Sequence, residues 1–164
     1  MENSVLLKKV EELAQKLDGE VEVSIDTPVL KIKGNRIIEA LSAAKAFAEV
    51  PCDFLHDLTG VDYPERNEFE VVYHLSSLKG AQMLRVKATI DRDNPVIDSA
   101  VRLWSGADFP EREAFDLLGI KFSGHPNLTR ILLWDDFVGY PLRKDYVVDS
   151  YEERRRLRTL KPGE

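Results

Sequence analysis

The chain has 164 residues, 43% of them apolar and 32% charged, with a formal net charge of −6 and a pI near 5.2. That size suits one domain burying about 70% of its unfolded-chain surface, and the acidic balance, with no basic face, argues against nucleic acid as a partner. A single cysteine, Cys52, excludes an internal disulfide; no apolar run approaches the ~20 residues of a membrane helix, and the start MENSVLLKKV lacks the pattern of a secretory signal, so a cytoplasmic chain is expected, with any membrane association through a partner.

Between Ser4 and Leu17, the residues Leu6, Val10, Leu13, Ala14 and Leu17 recur at helical spacing and Gly19 stands beyond as a stop, which predicts an amphipathic helix. Glu20 to Ile25 and Val29 to Lys33 read as two strands of a hairpin around Asp26-Thr27-Pro28. Asn35 is placed to cap a second helix, where Ile37, Ile38, Leu41, Ala44, Phe47 and Ala48 form one stripe before Pro51. Asp53 to Val61 is ambiguous. Phe69, Val71, Tyr73 and Leu75 alternate with more polar neighbours, as do Leu84, Val86, Ala88 and Ile90; with Lys79-Gly80 in the turn between them, they predict an antiparallel strand pair. Ser99 to Trp104 reads as a short helix, and Asp108 with Glu111 has the spacing of a capping box opening a helix that Gly119 ends. Regular structure is expected to be scarce afterwards. The expected fold is therefore α+β in two layers, with a mixed or mainly antiparallel sheet of about five strands and helices on one face. Residues 1–138 read as one domain and 139–164 as an extended basic C-terminal arm: from Pro141 onward the charge is +2, against −8 for the remainder.

The segment from Glu111 to Tyr146 is the densest in charges, glycines and prolines. On a helix from Phe109 to Leu118, Ala114, Phe115, Leu117 and Leu118 can bury, while Arg112, Glu113 and Asp116 fall on the other side as either a docking face or a solvated one. In the arm, Pro141 withholds a donor and biases Tyr140 toward extended geometry, so the stretch cannot easily continue a helix and reads as an arm laid on something. Glu152 to Arg158 could form a charged helix with almost no apolar face, either solvated or ordered by an acidic partner.

Glu111-Arg112-Glu113, Asp116-Leu117-Leu118-Gly119-Ile120, Gly124-His125-Pro126, Arg130-Ile131-Leu132 and Gly139-Tyr140-Pro141-Leu142-Arg143-Lys144-Asp145 resemble, in order, the 30 kDa subunit family of respiratory complex I, the NADH:quinone oxidoreductase. Val61-Asp62-Tyr63-Pro64 and Phe69-Glu70-Val71-Val72-Tyr73 look like the same family more faintly, and Thr129 departs from it by standing where another basic residue is usual. The family is shared with energy-converting membrane-bound [NiFe] hydrogenases. The resemblance implies a cofactor-free, non-catalytic peripheral-arm subunit at the cytoplasmic face of the cell membrane. It would pack against the large 49 kDa-type subunit, homologous to the hydrogenase large subunit, and against neighbouring iron–sulfur subunits. The partner-binding residues it implies are Glu111, Arg112, Glu113, Asp116, His125, Pro126, Arg130, Tyr140, Pro141, Leu142, Arg143, Lys144 and Asp145.

The residues themselves agree on cofactors: one cysteine cannot supply the four thiolates of an iron–sulfur cluster, and no Gly-x-Gly-x-x-Gly turn is present to hold a dinucleotide. His125 in its loop, with Asp135 and Asp136 as partners, is the one arrangement suggesting a small hydrolase. Without a nucleophile elbow at Ser123, its reading is structural, holding the loop by hydrogen bonds. His56, His74 and Cys52 read as structural, and Trp104 and Trp134 as either core or interface residues.

Overall fold

Leu6, Val10, Leu13, Ala14 and Leu17 all bury along one side of helix α1 (Glu2–Leu17) in the computed structural model of the chain, which describes residues 2–25, 27–79 and 82–147. That side packs on the hairpin β1 (Glu20–Ser24) and β2 (Thr27–Lys33) and touches α2 (Ile37–Lys45). Three long strands follow, β3 (Phe54–Tyr63), β4 (Glu68–Ser76) and β5 (Met83–Asp91). The sheet order is β1-β2-β5-β4-β3, parallel between β2 and β5 and antiparallel elsewhere. The fold is therefore α+β on a mixed five-stranded sheet, as the patterning implies.

Register explains which face is covered. Leu30 and Ile32 lie opposite Val86 and Ala88, which lie opposite Tyr73 and Val71, and these lie opposite Leu58 and Gly60. With a side-chain period of two, all of them point to one side, where the helices close the core. The other face is polar apart from the buried Val29 and Val72: Lys87 Nζ lies 2.9 Å from Glu70, and Arg85 Nε donates to His74 Nε2 at 2.9 Å. An antiparallel-rich sheet tolerates one such wet face.

The ambiguous stretch 53–61 is edge strand β3. Its periodicity is broken by a bulge between Leu55 and Asp57, and only Leu58 and Asp62 bury fully along its length. Asn35 does not cap the second helix; a 3-10 turn at Gly34–Arg36 leads directly into α2, which stops at Lys45, short of the predicted stripe. Ser99 to Trp104 is a single turn closed by Trp104 N–H to Ala100 O at 3.0 Å, not a helix. Beyond it, α3 (Asp108–Leu118) ends at Gly119 as expected, with φ +78. Regular structure then resumes briefly: β7 (Lys121–Ser123) pairs in parallel with β6 (Val96–Asp98), so the expectation of scarcity after Gly119 misses one strand. Gly60 sets how close α3 comes to the sheet, because a Cβ there would stand 2.6 Å from Leu118 Cδ1.

Candidate interaction surface

Helix α3 carries two buried carboxylates, and both face inward. Glu111 has 0% exposure; Ser99 Oγ donates to its Oε2 and the Ala100 N–H to its Oε1, each at 2.6 Å. Burial pushes its carboxyl up to about 7 against the pull of those two bonds. The capping box is thus absent: Asp108 is the first residue of the helix, and Glu111 braces the turn at Ser99–Ala100 instead of its own helix start. His125 seals the same place with a side chain of 0% exposure. The Asn127 N–H donates to its Nδ1 at 3.0 Å, which leaves Nε2 to carry the proton and donate to Asp108 O at 3.2 Å. Its nearest carboxylates belong to Asp108 and Glu111, at 3.5 and 4.0 Å. This is a loop lock, as the structural reading holds.

Asp116, also at 0% exposure, organises the loop that follows. Its Oδ2 accepts the consecutive N–H groups of Ile131, Leu132 and Leu133 at 3.1, 2.8 and 2.9 Å, and its Oδ1 accepts Arg130 Nη1 at 2.8 Å. Burial would raise this carboxyl, but the three backbone donors and Arg130 outweigh it and hold it below the usual range. One turn earlier, Arg112 donates to Thr129 O, Thr129 Oγ1 and Arg130 O at 3.0 to 3.2 Å, so the position where the family usually carries a base supplies acceptors here. The polar side of α3 is therefore largely occupied by the chain's own loop.

The first part of the arm also lies on the chain itself. The Leu142 N–H bonds Leu117 O at 3.1 Å and Arg143 Nε bonds Leu118 O at 2.7 Å, capping the carbonyl end of α3. The Arg143 guanidinium sits 4.7 Å from the Tyr140 ring and 5.2 Å from the Phe69 ring. Farther along, the Lys144 N–H donates to Asp62 Oδ2 at 2.8 Å, and Arg92 bridges Asp62 and Asp145, at 2.7 Å to each. Burial works against the Asp62 carboxylate, yet Arg92 and the Lys144 N–H hold its titration below the usual range. The proposed charged helix from Glu152 to Arg158 lies outside the described residues.

Of the residues named for partner binding, Glu111, Asp116 and His125 are enclosed, and Arg112, Arg130 and Arg143 are engaged within the chain. Glu113, Pro126, Leu142, Lys144 and Asp145 remain exposed, while Tyr140 and Pro141 are half-buried. Lys144 contributes its backbone to the clasp and Asp145 its side chain. The sequence reading missed Asp62 and Arg92, which clasp the arm; Asp62 stood in a fainter motif, and Arg92 carried no local signal. It also left open which tryptophan is core: Trp104 is buried with its Nε1 donating to Asp53 O, whereas Trp134 is 52% exposed. Leu132, two residues before Trp134, and Leu142, beside the end of α3, are also exposed, at 60% and 59%. Cys52 is buried and its thiol is pushed up to about 12 by burial and Asp53, an inert setting. Among the described residues, no group of three or more His, Cys, Asp and Glu is arranged to hold a metal ion, and no helix is long and apolar enough to cross a membrane.

Residues 30–152 match the family described as respiratory-chain NADH dehydrogenase, 30 Kd subunit, and the chain belongs to that family. It is 47% identical over 129 residues to the C subunit of the NADH-quinone oxidoreductase of Moorella thermoacetica, spanning 79% of this chain and 86% of that one. The equivalent NADH-quinone oxidoreductase chain of Roseiflexus sp. is 38% identical over 154 residues, spanning 93% and 88%. Among solved structures, a trypsin-resistant fragment of Nqo5 superposes with a TM-score of 0.60 at 28% identity over 75% of this chain and 99% of the fragment. A chain from the membrane-bound sulfane sulfur reductase, an archaeal respiratory membrane complex, shares the fold at a TM-score of 0.76 and 23% identity, over 96% of this chain and 94% of that one.

Proposed function

We propose that this member of the 30 kDa subunit family is a docking subunit in the peripheral arm of a complex-I-like NADH:quinone oxidoreductase. It holds the large 49 kDa-type redox subunit, and with it the neighbouring iron–sulfur subunits, in position for electron transfer coupled to ion translocation. The chain sits at the cytoplasmic face of the membrane through that complex and carries no redox centre itself. The observation that supports this most directly is the pairing of a rigid frame with an apolar exterior. Buried Asp116 pins three consecutive backbone N–H groups, and the loop so held presents Leu132 and Trp134 to the outside. Exposed tryptophan and leucine on a pre-organised backbone suit the centre of a protein interface, since the ordering cost of binding is already met by the fold.

Affinity purification of this chain from its native membranes in mild detergent tests the reading. Recovery of a large redox subunit, with NADH:quinone activity in the eluate, is the expected result. Hydrogenase activity in its place would assign the chain to an energy-converting [NiFe] hydrogenase. Recovery of the chain alone would overturn the docking role.

A further inference from the structure

We infer that the surface this chain docks against is apolar at its centre and basic at its rim, and that Trp134, Asp135, Asp136 and Glu113 meet it, not the arginines of the family motif. The inference rests on the docking role proposed above and gives that role its chemistry.

The arginines of the segment are already engaged within the chain. Arg130 is neutralised by Asp116, Arg112 is bound to three oxygens of the loop at 129–130, and Arg143 is bound to Leu118 O beneath the Tyr140 ring. Taking Arg130 to a partner would strand a buried carboxylate, whereas Arg112 and Arg143 are held in place on neutral oxygens of the chain. The outward carboxylates are in the opposite condition. Glu113, Asp135 and Asp136 are exposed, and among the described residues none of the three pairs with a cation. Asp135 and Asp136 directly follow Trp134, whose ring is held edge-on to Phe137 at 4.9 Å, and Phe137 stacks in turn on Tyr146 at 6.1 Å. Glu113 shares a shallow cleft with Leu142 and Pro110 against β3. The pinned loop thus presents Leu132 and Trp134 with Asp135 and Asp136 directly following in the chain, and Glu113 adds a third exposed carboxylate on α3, against which Lys144 is an exposed cation near the end of α3. A complementary surface answers such a loop with lysine or arginine around an apolar seat.

The test uses the assembly purified through a tag on this chain. A zero-length carbodiimide, which joins carboxylates to amines, is expected to link Asp135, Asp136 or Glu113 to lysines of the co-purifying large subunit. In parallel, the Asp135→Lys/Asp136→Lys double variant is expected to recover about tenfold less of that subunit, while the isolated variant melts as the parent chain does. Full recovery by the double variant overturns the inference and leaves the docking role standing. Links from these carboxylates to this chain's own Lys161 also overturn it, by assigning the acidic border to the chain's own basic end. Failure of the unaltered chain to bring down any large redox subunit overturns the docking role itself.

Discussion

Asp116 and Arg130, 2.8 Å apart, join helix α3 to the loop that follows it, and the aspartate does so with no exposed surface. A charged hydrogen-bond pair of this kind adds little when whole, but removing one partner leaves buried groups stranded. Asp116→Ala is therefore expected to cost about 3 kcal/mol in chemical denaturation of the isolated chain, since three backbone N–H groups and Arg130 lose their acceptor together. Amide hydrogen exchange at Ile131, Leu132 and Leu133 should rise with it. Unchanged exchange at these amides would contradict the assigned role.

Arg92 closes the clasp on the arm. Arg92→Ala leaves Asp62 buried beside a single backbone donor and frees Asp145, so a loss of about 3 kcal/mol is expected. The more specific sign is faster proteolysis of the segment around Tyr140 to Tyr146, with α1 and the hairpin unaffected. Equal protection of the arm in both proteins would refute the clasp.

Gly119 combines two demands: a left-handed φ of +78 and close approach by the arm. A Cβ there would lie 2.7 Å from Arg143 Nη2 and from the Tyr140 ring. Gly119→Ala should destabilise by about 1 to 3 kcal/mol, more than a helix-end glycine alone would, because the strain is joined by a displaced arm. Combining it with Arg143→Ala tests that second component: a penalty smaller than the sum is expected, and strict additivity would show that the arm does not matter.

Glu111 gives stability a pH dependence with an unusual sign. Its carboxyl is raised from an ordinary 4.5 to about 7, so between those values the folded chain holds a proton that the unfolded chain has lost. Stability from this group is complete below about pH 4.5 and declines as pH rises through 7, by on the order of 3 kcal/mol. Burial and Arg85 shift His74 the other way, to a lower value, so its contribution falls as pH drops below 6.5. Glu111→Gln keeps the shape and removes the titration; the difference between the two proteins should grow from pH 5 to pH 8, in favour of glutamine. A constant difference would rule out the buried acid as its source.

Much of the fold is legible in the sequence because strands β4 and β5 and helix α1 carry clean periodicities. Edge strand β3 is not, since its bulge resets the alternation and one of its faces is wet. The candidate surface is legible as a segment but not in its roles. Glu111 and Asp116 have the spacing of helix-surface charges, and local spacing does not show that Ser99, Ala100 and the amides of residues 131–133 will fold over to meet them. The Asp62–Arg92 clasp joins a residue of β3 and the residue just past β5 to an arm more than fifty residues later, a relation that no local pattern encodes.

The most direct test of the central claim is hydrogen–deuterium exchange on this chain, alone and within the assembly purified from membranes. Slowed exchange on assembly concentrated in α3 and residues 129–147, centred near Trp134, is the expected result. Protection confined to the open polar face of the sheet, with the Trp134 region exchanging as it does in the free chain, would contradict the account.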